Sequence, residues 1–116
     1  MENKTIVQRL KRSDKDLLSK AQRYYSILSA VNDLKLTDRE IQLIAFTAVR
    51  GNISYSNYRE EFCSLYNSSS PTINNIISKL KRQLILVKDA SKVKVDPRLL
   101  VDFNKDIVLQ VILKNG

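Results

Sequence analysis

The chain is 116 residues long and contains no histidine, no tryptophan, one cysteine, two glycines and two prolines. Each shortage excludes something. With no histidine and a single cysteine, zinc sites built from Cys and His ligands are ruled out, and so are Ser-His and Cys-His nucleophile pairs. Cys63 has no partner for an internal disulfide, which points to a reducing compartment. Next to Phe62 it reads as a small apolar residue rather than a redox sensor. Two glycines cannot furnish a phosphate-cradling loop, so nucleotide hydrolysis is not expected. No window nears the roughly 20 apolar residues of a membrane span, and Met1 to Arg12 has no apolar stretch of signal-peptide length. The expected location is the cytoplasm, or a phage particle assembled there, with no membrane partner.

What the chain has in excess is positive charge. Twenty Lys and Arg stand against twelve Asp and Glu, a net +8 on a chain long enough for one domain. That balance favours a polyanion, nucleic acid before an anionic membrane surface or an acidic protein. The five tyrosines raise the idea of a tyrosine nucleophile for DNA cleavage. That chemistry wants a convergent Arg/His/Lys cluster or metal-binding carboxylates, and there is no histidine. Tyr24, Tyr25, Tyr55 and Tyr58 are read as core-edge residues with the hydroxyl in water. Glu60-Glu61 and the carboxylates from Asp102 to Asp106 are read as solvated surface. A non-enzymatic protein without cofactor or metal is expected.

Met1 to Arg12, with Lys4, Arg9, Lys11 and Arg12 against Glu2, reads as a basic arm that docks through Ile6, Val7 and Leu10. A first helix is predicted after Ser13, with Ser13 and Asp16 at capping-box spacing. Leu17, Leu18, Ala21, Tyr25, Leu28 and Val31 form its apolar stripe, and Asn32-Asp33 ends it. In Leu36-Thr37-Asp38-Arg39-Glu40-Ile41 the pattern is a capping box, Thr37 with Glu40, flanked by a Leu36/Ile41 staple. Ile41, Ile44, Ala45 and Ala48 are its apolar stripe and Gly51 its left-handed end. After the extended link Asn52-Ile53-Ser54, a third helix over roughly Tyr55 to Tyr66 buries Tyr58, Phe62 and Leu65. The turn Asn67-Ser68-Ser69 leads to a fourth, with Ser70 as N-cap and Pro71 as first helical residue. Its apolar set is Ile73, Ile76, Ile77, Leu80 and Leu84.

Then the period changes. Leu84 to Val87 and Lys92 to Val95 read as strands of a hairpin around Asp89-Ala90-Ser91, stopped at Asp96-Pro97. The final run, Ile107 to Leu113, is left open: its β-branched content suits a strand, while a start at Asn104 suits a short helix.

Helix, turn, helix and basic hairpin, in that order, make a unit with an evident use. A helix fits the major groove of B-DNA, and a basic hairpin beside it reaches phosphates. The outward face of the fourth helix carries Thr72, Asn74, Asn75, Ser78, Lys79, Lys81 and Arg82. Asn74 and Asn75 have the groups to read adenine edges, Thr72 to meet a thymine methyl or phosphate, and Lys79 and Arg82 to meet phosphate or guanine. From Lys79 to Arg98 there are seven basic residues and two acidic ones, so more than half of the net charge lies on this helix and hairpin.

The stretches Leu36 to Glu40, Ser70-Pro71-Thr72-Ile73-Asn74-Asn75-Ile76-Ile77-Ser78-Lys79-Leu80 and Leu84-Ile85 resemble, over Leu36 to Pro97, the winged helix-turn-helix superfamily of multiple-antibiotic-resistance-type repressors and plasmid or phage replication initiators. The opening Leu-Thr-x-Arg-Glu is also similar to the wingless unit of response regulators, but Gly51 to Thr72 is too long a separation for that family, and a hairpin follows. Gln83 stands where many such repressors carry glycine before the wing. The resulting expectation is a mainly α fold with a small β-hairpin, a winged helix-turn-helix with an extra N-terminal helix and a C-terminal extension. Its parts are an arm over 1–12, a winged helix domain over 13–98 and an extension over 99–116. The partner is duplex DNA, contacted by Thr72, Asn74, Asn75, Ser78, Lys79 and Arg82 on the helix and by Lys88, Lys92 and Lys94 on the wing, in transcription regulation or replication control. The N-terminal helix or the C-terminal run is expected to mediate a homo-oligomer or protein assembly. The rival expectation is a structural component, for instance of a phage particle, using the same fold to dock proteins.

Overall fold

The structure, a computed structural model, describes residues 12–114, which are mainly helical with one antiparallel hairpin. The order is α1 (Arg12–Val31), α2 (Asp38–Arg50), α3 (Ser56–Tyr66), α4 (Ser70–Arg82), β1 (Leu86–Asp89) and β2 (Lys92–Val95), followed by a 3-10 turn, Pro97–Leu99. The predicted arm, up to Lys11, lies outside the described residues.

α2 starts where its sequence says it should. The Glu40 N–H donates to Thr37 Oγ1 at 3.2 Å and the Thr37 N–H donates to Glu40 Oε1 at 2.9 Å, closing the capping box. At the other end Gly51 takes a left-handed φ of 100°, and its N–H donates to the Thr47 carbonyl. Between these caps the helix is buried on almost every side. Leu43, Ile44, Ala45, Phe46 and Thr47 are wholly buried and Ile41 nearly so, whereas Ala48, expected in the stripe, is only partly covered. A single stripe underestimates a helix that α1, α3, α4 and β2 all touch. Arg50 clamps the far end, donating to Glu61 of α3 at 2.6 and 3.0 Å and to Asp14 of α1 at 3.4 Å. Glu61 is therefore a structural ion-pair partner and not solvated surface.

α1 is already helical at Arg12, so Ser13 lies in its first turn instead of capping it. Leu18, Ala21 and Tyr25 face the core, while Val31, predicted to join them, is the last residue of the helix and 51% exposed. Tyr25 also departs from expectation: it is fully buried, and its hydroxyl donates to the Leu99 carbonyl at 2.8 Å. Burial raises its pKa well above the ordinary phenol value. In α3 only Phe62 is fully buried, against Phe46, with ring centroids 5.5 Å apart. Leu65, predicted inward, is exposed.

Three helices end in the same way. A left-handed residue follows the last turn, at Asp33 after α1, Asn67 after α3 and Leu84 after α4. In each, the next N–H reaches back to a carbonyl in the last turn: Leu34 to Ser29, Ser68 to Cys63 and Ile85 to Leu80. This is the Schellman arrangement, which favours glycine or asparagine at the left-handed position. Leu84 occupies it at φ 61° and is 65% exposed, so it neither continues the α4 stripe nor begins the strand. The corner falls on Leu84, not on Gln83, whose φ is −85°. β1 consequently starts at Leu86, two residues later than expected.

β1 and β2 pair antiparallel with Leu86 opposite Val95 and Asp89 opposite Lys92, around the two-residue turn Ala90-Ser91. The link before α3 is sewn to β2: the Ile53 N–H donates to the Val93 carbonyl and the Val93 N–H to Ser54 Oγ. Buried Asn52 holds the start of α3 by accepting from the N–H groups of Ser54 and Tyr55. The core also runs past Arg98, the expected domain end, because Phe103 is buried against Tyr24 and Tyr25. From Ile107 to Leu113 the backbone forms neither strand nor helix.

Candidate nucleic-acid interface

α4 is built to expose one face. Its N-cap is Ser69, whose side chain accepts from the Thr72 N–H, so Ser70 and Pro71 are the first two helical residues. The predicted cap at Ser70 is thus displaced by one position, because Pro71 is equally tolerated one residue deeper in the first turn, where N–H groups have no intrahelical partner. Ile73, Ile76, Ile77 and Leu80 are buried and fix the rotation of the helix. At 3.6 residues per turn, the centre of the opposite face is Asn75, Ser78 and Arg82. Asn74 and Lys81 flank it on one side, Thr72 and Lys79 on the other. All are exposed except Lys79, which is half-buried.

The two flanks are not equivalent to the centre. Asn74 Oδ1 accepts from Arg59 of α3. Bidentate adenine recognition needs both the amide oxygen and the amide nitrogen, so this contact leaves Asn74 with half of that capacity. Asn75 makes no side-chain hydrogen bond among the described residues and keeps both groups. Lys79 donates to Glu40 Oε2 at 2.7 Å. Glu40 thereby joins two elements, one oxygen closing the α2 cap and the other holding α4. Burial pulls the Glu40 carboxyl upward, but hydrogen bonds from Lys79 and Thr37 outweigh it, and its pKa lies below the ordinary value. Lys79 is therefore chiefly a strut between helices, with only its exposed side facing outward.

On the hairpin, Lys88 is exposed and has no carboxylate partner among the described residues. Lys94 lies 3.3 Å from Asp89 in an exposed pair of little energetic weight. Lys92 sits over the Tyr55 ring, 5.2 Å from its centroid, and interaction with the Tyr55 hydroxyl holds its ammonium above the ordinary value. Tyr55 packs on Tyr58, and Arg59 follows on the same helix with its side chain on Asn74. A continuous strip of contacts therefore runs from the hairpin across α3 to the edge of α4. Arg98, by contrast, is occupied: it donates to Asp96 at 2.7 and 3.1 Å and holds that carboxyl at about 2.

Two basic residues belong here that sequence reasoning missed. Arg59 is one; the signal was its position one turn after Tyr55 on the face of α3 that meets α4. Arg39 is the other. With Asn67, Ser68, Ser69 and Thr72 it lines a shallow polar depression of about 510 Å3 at the start of α4. There the first N–H groups of α4 and its positive dipole end come together with a guanidinium, a combination suited to an anion. Nothing in the local sequence around Arg39 shows that it meets a turn some thirty residues later.

Comparison of the chain with protein-family models, with curated proteins and with solved structures finds no match in any of the three. Among the described residues, no helix is long and apolar enough to cross a membrane, and no three His, Cys, Asp or Glu side chains gather as a metal site.

Proposed function

We propose that the chain is a non-enzymatic winged helix-turn-helix protein that binds duplex DNA and acts in transcription regulation or replication control. α3 and α4 are the helix-turn-helix, α4 enters the major groove, and the β1–β2 hairpin is the wing that meets the backbone. The observation that carries this reading is the outward stripe Asn75, Ser78 and Arg82. It makes no side-chain hydrogen bond or ion pair among the described residues, and Asn74, held by Arg59, and Lys81 border it on one side. Asn75 supplies base recognition, and Arg82 a guanine or phosphate contact. Lys81, Lys88, Lys92 and Arg59 supply phosphate contacts, which position the protein and carry no sequence information. The depression beside Arg39 takes one further phosphate at the α4 N-terminus.

The test is a fluorescence-anisotropy titration of the chain against random and AT-rich duplexes at about 50 and 200 mM salt. Phosphate-dominated binding weakens by several powers of ten over that interval when six or more contacts are made. Preference for particular duplexes should survive the salt change while overall affinity does not. If the fold serves only as a protein-docking module, no duplex binds at micromolar protein in low salt.

A further inference from the structure

A cleft of about 300 Å3 opens between α1, the loop after it and the end of α4. Leu28, Leu34, Leu36, Leu84 and Leu99 are its apolar wall. A cavity of about 150 Å3 with such a lining already holds a benzene ring, so this one has room for about two aliphatic side chains. The same chain carries a segment of matching chemistry. Val108, Leu109, Val111, Ile112 and Leu113 are all exposed, from 40% at Leu109 to 91% at Val108, on a backbone without secondary structure. At the two-residue period of an extended chain, Leu109, Val111 and Leu113 share one side, whereas Gln110 interrupts the other.

The chain's own run does not fill its own cleft. Leu99 is in the cleft wall, held by Tyr25, but the Lys20 ammonium then fixes the carbonyls of Phe103 and Lys105 nearer the start of α1. Beyond that anchor the cleft stands open and the run is exposed in the same molecule. An uncovered apolar run and an uncovered apolar cleft on one chain are self-complementary, and a two-fold axis uses both pairs at once. We infer that two copies associate by exchanging C-terminal arms, the Leu109, Val111 and Leu113 side of each lying along the leucine-lined cleft of the other with two of those side chains inside it. A stable interface covers about 800 Å2 per partner, and under a two-fold axis each chain contributes both an arm and a cleft to that area. This inference is independent of what α4 binds.

The experiment is sedimentation equilibrium of the full chain from about 1 to 100 μM, with circular dichroism and urea unfolding to show that each variant is folded. The wild type should be a dimer at the upper end. Val111→Asp with Leu113→Asp alters only the exposed arm and should weaken the dimer at least tenfold. Leu84→Asn alters the cleft at a position that already favours asparagine and should do likewise. Mixing the arm variant with the cleft variant should restore association in part, because one intact arm then meets one intact cleft while the other pair stays altered. A wild type that stays monomeric at 100 μM overturns the inference, as does an arm variant that dimerises as tightly as the wild type. A monomer whose unfolding midpoint drops with the arm variant also overturns it, since the arm would then belong in its own cleft.

Discussion

Leu80 and Leu84 lie one helical turn apart in sequence and should respond to substitution very unequally. Leu80 is wholly buried in the last turn of α4, so Leu80→Ala removes buried methylenes and leaves a cavity, at a cost of about 2–5 kcal/mol. That is a large share of the roughly 5–15 kcal/mol by which such a domain is stable. Leu84 is 65% exposed at φ 61°. Replacing it by glycine forfeits about a third of a leucine's burial, roughly 0.5–1 kcal/mol. The extra freedom of glycine in the unfolded chain costs a further 0.5–1 kcal/mol or about that. Against these stands relief of the left-handed backbone, about 1–2 kcal/mol. The terms nearly cancel, and Leu84→Gly should fall within about 1 kcal/mol of the wild type. Urea unfolding followed by circular dichroism at about 1 μM protein measures both changes. Asn75→Ala, at an exposed residue whose side chain makes no hydrogen bond among the described residues, is the control and should be near zero. If Leu84→Gly costs as much as Leu80→Ala, the corner after α4 is wrongly described and the orientation of the hairpin with it.

Other expectations follow from the same geometry. A double-mutant cycle on Glu40→Gln and Lys79→Met should show coupling of about 0.5–1 kcal/mol, the upper range for a pair with one exposed partner; zero coupling would remove Lys79 as a strut. Because the Glu40 pKa is lower in the folded than in the unfolded chain, its contribution is complete above about pH 4.5 and is lost as pH falls through the folded value. Acid titration of the unfolding free energy should therefore slope less steeply in Glu40→Gln than in the wild type. Asn75→Ala should cut discrimination between preferred and scrambled duplexes by about 1–3 kcal/mol, and Asn74→Ala by distinctly less, since its oxygen is held by Arg59; equal losses on all duplexes would show that α4 does not read bases. Tyr25→Phe should destabilise by about 1 kcal/mol, leaving the Leu99 carbonyl unpaired, as unfolding would report.

What the sequence made legible was local. The Thr37/Glu40 box, the Gly51 terminus, the Ile73 to Leu80 stripe and the presence of a hairpin after α4 all arise from neighbours within a turn or two, where residue type and spacing act directly. The errors share a different cause. Leu84 sits in a β-prone run, and only the Schellman bonds from Leu84 and Ile85 back into α4 turn it outward. Asn74 and Asn75 look interchangeable in sequence; the neighbouring helix separates them through Arg59. Glu61 and Tyr25 were read as surface and core edge because their partners, Arg50 and the Leu99 carbonyl, come from distant segments. Arg39 joined the candidate site for the same reason. The undecided run from Ile107 to Leu113 has strand-like residues but pairs with no strand among the described residues.

The most direct test of DNA binding is the slope of log affinity against log salt for the wild type and for Lys88→Ala and Lys92→Ala. With about five to eight phosphates neutralised, the wild-type slope should be about −4 to −7. Each lysine change should make it shallower by about 1 and weaken all duplexes alike, leaving their ranking intact. A chain that shifts no duplex at micromolar concentration and low salt, or whose slope ignores both lysines, contradicts the assignment of the hairpin and α4 as a DNA-binding surface.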